Sequence, residues 1–124
     1  RILAPDGICI MRIPNIDSVT FRLFGRYWFP LDVPRHVCHY TPSAVKELAR
    51  RHGLRVKKVK FNSPSSGFFT SIDYMKADGV APWYAGMLSS NSSFQKYLWH
   101  IPGWVVDRLG KGDIVEYTLT RAAR

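Results

Sequence analysis

Cysteine is scarce in this chain, with only Cys9 and Cys38 among 124 residues, too few for a disulfide framework and suited to a reducing compartment. A cytoplasmic location is expected. Long apolar runs are lacking too. The longest lies around 97–106 and is interrupted by His100 and Pro102, well short of the roughly 20 residues a spanning helix needs. No charged start followed by an apolar stretch and a small-residue cleavage site is readable as a secretory signal. Acidic residues are few: nine Asp and Glu against eighteen Lys and Arg leave a net charge of +9. That imbalance favours anionic partners such as nucleic acid, a membrane face, a phosphorylated substrate or an acidic part of the same protein. Missing as well is a glycine-rich turn between a strand and a helix, the context in which such turns cradle phosphates or nucleosides. At 46% hydrophobic and 22% charged, what is there is ordinary globular composition, and the length suits one domain.

The opening, Arg1-Ile2-Leu3-Ala4 before Pro5-Asp6-Gly7, reads as the tail of a helix entering a tight turn, so the chain is expected to be the later part of a longer domain. Ile8 to Ile13 is almost wholly apolar, which predicts a strand covered on both faces. Asp17 or Ser18 is placed to cap a short helix ending at Gly25. An aromatic, proline-rich loop follows through Tyr40. Thr41-Pro42 is a strong helix start, and Val45, Leu48 and Ala49 form its apolar stripe up to His52-Gly53. Leu54 to Phe61 alternates broadly, predicting a strand with a basic solvated face. Residues 62–112 read as a helical insertion: Phe68 to Met75 fits helix or strand, Ser93 to Leu98 fits a helix, and Pro102-Gly103 either breaks it or opens a second. Gly110 to Asp113 is a turn, and Ile114 to Thr120 is a closing strand. The order strand, loop, helix, strand, helical insertion, strand predicts an α/β layer arrangement.

The stretches "LAPDGICIMRIPN", "PLDVPRHVCHYTPSAVKELARRHGL" and "GKGDIVEYTLTRAAR" together resemble the C-terminal half of class I S-adenosylmethionine-dependent methyltransferases, in the group with a Pro-Arg-His loop. The resemblance covers a little over half of the chain. It implies that the first stretch is the turn and fifth strand of a Rossmann-like sheet, the second the loop over the active-site mouth with its following helix, and the third the last, antiparallel strand. Asp6 stands where the family has the first of two turn glycines. The family's acidic-x-Gly-x-Gly-x-Gly turn and its ribose-binding acid have no counterpart here, and Gly110-Lys111-Gly112 has neither the spacing nor a following helix. The expectation is therefore the substrate-side half of a methyltransferase acting on a small-molecule acceptor, with S-adenosylmethionine bound mostly by a preceding N-terminal half and the chain inactive by itself. The opposed expectation is a non-enzymatic basic module for RNA or an anionic membrane.

Ligands of open α/β sheets lie beyond the carboxyl ends of the strands, which makes Asn15 a candidate substrate contact or, alternatively, a residue satisfying its own turn. His36, in the loop that the resemblance places at the site mouth, is the candidate general base, since imidazole titrates near neutrality. Arg35, with its planar fork for an anionic group, and His39 are candidate substrate contacts. The structural alternative is that Pro-Arg-His locks the loop onto main-chain carbonyls, with Arg35 paired to Asp32. His36-x-Cys38-His39 leaves only Cys9, His52 or His100 to complete a zinc set, and no metal is expected. Tyr27 and Trp28 read as buried filler or as a platform for flat groups. The insertion's aromatics suit a packed subdomain, a lid, or a peripheral membrane contact. The basic run from Lys46 to Lys60 has no interleaved aromatic, so a solvated surface is expected there rather than a nucleic-acid footprint.

Overall fold

A computed structural model of the chain describes residues 3–88 and 93–122. Strand β1 spans Ile8–Pro14, β2 Leu54–Asn62 and β3 Ile114–Arg121. They form a three-stranded sheet in the order β1-β3-β2, with β3 antiparallel to both neighbours. It follows that β1 and β2 run parallel to each other and need a crossover. The chain is thus α/β, helices joined to a small sheet.

The crossover begins with α1, Val19–Phe24, which Ser18 caps by accepting from the Phe21 amide, and which ends at Gly25 with φ +53°. Only glycine adopts that conformation without strain. Two short 3-10 turns, Gly25–Tyr27 and Phe29–Leu31, interrupt the stretch expected to be loop throughout. Helix α2, Pro42–Arg51, starts as its sequence dictates: Thr41 Oγ1 accepts from the Ala44 amide, and Pro42 sits in the first turn. Val45 and Ala49 of α2 pack on Val115, Tyr117 and Leu119 of β3, with Met11, Ile13, Val56, Val59 and Phe61 around them. Burial pushes the Tyr117 phenol up to about 12.

The expectation that β1 is covered on both faces is not met among the described residues. Met11 and Ile13 face this core, whereas Ile8 and Ile10 are 56% and 61% exposed. An apolar run records what its surfaces favour, not whether a second layer is present to cover them. The outer edge of β1 is likewise unpaired among the described residues. On β2, the register shifts between Val56 and Lys58, leaving Lys57 as the extra residue of a bulge.

Residues 62–112 hold α3 (Ser65–Ala77), a 3-10 turn at Trp83–Met87, α4 (Ser93–Leu98) and α5 (His100–Arg108). The ambiguous Phe68 to Met75 segment is helical, and Pro102 falls in the first turn of α5, where its missing amide costs nothing. A second core gathers Phe24, Trp28, Phe69, Ile72 and Ala85, with Phe68 stacked on Trp99 at 4.1 Å. None of the described helices is long and apolar enough to cross a membrane.

Candidate functional site

The carboxyl ends of β1 and β2 and the start of β3 meet at one end of the sheet. Here the chain buries Asn15, Ser18, Thr20, Ser63 and Asp113. Asn15 spends its amide on the backbone: Nδ2 donates to the Gly112 carbonyl at 2.9 Å, and Oδ1 accepts from the Asp17 amide at 3.0 Å. This is the turn-satisfying arrangement, and it ties the end of β1 to the residue preceding Asp113. The Asp113 carbonyl in turn accepts from the Asn15 amide at 2.7 Å.

Asp113 is the residue that sequence reasoning passed over. Its side chain is fully buried, and Oδ1 accepts from Thr20 Oγ1 and from the Trp28 indole at 3.2 Å. Among the described residues its Oδ2 has no hydrogen-bond partner. Burial raises its pKa to about 6, with nearby Asp107 adding to the shift and the Trp28 N–H opposing it. Trp28, expected as filler or platform, is 1% exposed. It is both filler and an anchor, since its ring packs in the second core while its N–H reaches Thr20 and Asp113. The signal available in the sequence was weak: a carboxylate opening an apolar strand, with a tryptophan far away in the chain.

Onto this base the Pro-Arg-His loop is latched. The Phe29 amide donates to Ser71 Oγ at 2.8 Å, Pro30 is buried, and Tyr40 pairs with Asn15 as an isolated bridge. Between them the chain turns through Asp32, at φ +38°, and a cis Val33–Pro34 bond. His36 Nδ1 lies 3.0 Å from the Pro30 carbonyl, and His39 Nε2 lies 2.9 Å from the Leu31 carbonyl. A carbonyl only accepts, so both of those nitrogens carry protons. In the neutral rings the free lone pairs are therefore on His36 Nε2 and His39 Nδ1. The two rings stand edge to face with centroids 6.2 Å apart. Arg35 projects outward and pairs with Asp32 at 3.0 Å. The structure thus brings His36, His39 and Arg35 together on one loop, and holds Asn15 beneath it in the frame.

Gly110-Lys111-Gly112 joins α5 to β3, a helix to a strand, and is packed full. A Cβ at Gly112 would lie 2.1 Å from Asp107 Oδ1 and 3.1 Å from Phe61 and Ser63. Such a turn does not fit S-adenosylmethionine. Among the described residues no group of three or more His, Cys, Asp or Glu is placed to hold a metal. The basic run is exposed, with Arg50 and Arg51 both drawn onto Glu47, whose carboxyl their hydrogen bonds lower to about 2. No family model, curated protein or solved structure matches the chain.

Proposed function

We propose that this chain is the acceptor-side part of an S-adenosylmethionine-dependent methyltransferase acting on a small molecule. The observation that carries the reading is the placement of a tautomer-fixed histidine loop at the carboxyl end of β1. Its support is topological and chemical. An antiparallel β3 between two parallel strands is consistent with the fifth strand, crossover helix and closing antiparallel strand that the sequence resemblance implies. The loop sits at the end of the sheet where open α/β folds bind ligands. His36, with Nδ1–H committed to Pro30, offers Nε2 to take a proton from an acceptor hydroxyl or amine. Its carbonyl partner fixes the ring as an orienting group does in other general-base sites. Arg35 offers an exposed guanidinium to an anionic substituent, and His39 Nδ1 a further acceptor. Asn15 enters as part of the frame rather than as a substrate contact, because both ends of its amide are engaged.

The methyl donor is expected to be held by residues outside this chain. The reading predicts that the complete reading frame encodes a strand followed by an acidic-x-Gly-x-Gly-x-Gly turn and a helix, and that its product binds S-adenosylmethionine in a calorimeter. In that protein, His36→Gln is expected to lower turnover by about 10²-fold or more while leaving cofactor affinity unchanged. A reading frame without the turn, a product that does not bind the cofactor, or a fully active His36→Gln enzyme overturns the proposal.

A further inference from the structure

Helix α5 is turned inside out. Its inward side is small and acidic: Gly103 lies against Trp99 and the Ser63 carbonyl, and Asp107 accepts from Ser63 through both its amide and its hydroxyl, at 3.1 and 2.7 Å. Its outward side is large and apolar. Ile101, Trp104 and Leu109 are 76%, 58% and 69% exposed, and Tyr97 at the end of α4 continues the surface at 72%. The spacing of 101 and 104 puts Ile101 and Trp104 on one face of α5. The packing of the opposite side explains why the face is not simply core: the contacts that anchor α5 are already made by Gly103 and Asp107.

We propose that this face is a peripheral membrane contact, seated on an anionic bilayer. Charge selects the occupant. Between residues 97 and 111 the sequence has Arg108 and Lys111 against a single carboxylate, Asp107; Asp107 is spent on Ser63 and Lys111 is paired with Asp17, which leaves Arg108 as the cation beside the exposed face. Among the described residues the outward side of α5 therefore carries no acid. Arg108 lies over the Trp104 ring, its guanidinium carbon 4.9 Å from the centroid, so that a cation borders the apolar stripe. A bilayer satisfies both parts: the acyl boundary receives Ile101 and Leu109, the interfacial region suits Trp104 and Tyr97, and anionic headgroups meet Arg108 and the +9 chain. A second copy of the chain fits less well, because a two-fold contact would set like charges against each other. The inference stands on α5 and the end of α4 and does not rest on the methyltransferase reading.

The test is flotation of the chain with vesicles of phosphatidylcholine mixed with phosphatidylglycerol, against phosphatidylcholine alone. Binding is expected to the anionic vesicles, to weaken with added salt, and to be much weaker to the neutral ones. Ile101→Ser combined with Trp104→Ser is expected to weaken it by about tenfold or more, with an unchanged circular dichroism spectrum. Arg108→Glu, an exposed substitution that leaves the apolar face intact, is expected to reduce binding to anionic vesicles in the same direction. Failure to bind anionic vesicles, or binding that ignores both variants, overturns the proposal. So does a stable dimer in sedimentation that the double variant dissolves, which would give the face to a second copy.

Discussion

At the scale of single residues, the buried carboxyl of Asp113 links the two halves of the chain. It opens β3, yet its partners Thr20 and Trp28 belong to the helical side. Its pKa of about 6 lies above the ordinary 3.8 because burial disfavours the anion. The folded state therefore holds this proton more tightly than the unfolded chain. The associated stabilisation is fully present below about pH 4 and is lost as pH rises through about 6, a change on the order of 3 kcal/mol at most. Asp113→Asn keeps an acceptor for Thr20 and Trp28 but cannot ionise. Its stability relative to the parent chain, from urea unfolding, is expected to improve between pH 4 and 7; a difference that does not vary with pH would sink this account. The histidines stood out in the sequence as candidate site residues, being two imidazoles beside an arginine. Their protonation pattern was not, because the carbonyls that set it, Pro30 and Leu31, are chosen by the fold of the loop.

Among the elements, helix α2 was readable almost to the residue, because cap, proline and apolar stripe are all local signals. Strand β2 was readable only as broad alternation. Val56 and Val59 both face the core, an odd spacing that strict pleating forbids, and the bulge at Lys57 reconciles it. Deleting Lys57 restores perfect alternation from Val56 through Phe61, and the deletion is expected to fold with a midpoint close to that of the parent. Deleting Lys60 instead turns Phe61 out of the core, with a loss on the order of 2–3 kcal/mol. Thermal unfolding of the two deletions side by side separates them, and equal midpoints would contradict the assigned register. Lys57, Lys58 and Lys60 also stand exposed along an edge strand, where lysines discourage pairing with other sheets.

Across the whole molecule, the asymmetry of the sheet has a practical consequence. One face is closed by α2, while Ile8 and Ile10 lie open beside the unpaired edge of β1. Such a surface invites association. The 124-residue chain is expected to bind a hydrophobic dye and to self-associate in sedimentation, and Ile10→Lys is expected to reduce both without lowering the melting temperature. A monodisperse chain that leaves the dye dark would contradict this. By itself the sequence determined the three strands, the cap of α2, the exposed basic run and the loop carrying Arg35, His36 and His39, because each depends on residues close together in the chain. Only the tertiary structure decided that Asn15 faces the backbone, that Asp113 is buried against Trp28, that β1 is covered on one face alone, and that α5 presents its apolar side outward. Those outcomes depend on which distant segments meet, and in this chain the meeting places are a carbonyl, an indole and a pair of seryl groups whose partners carry no periodic signal.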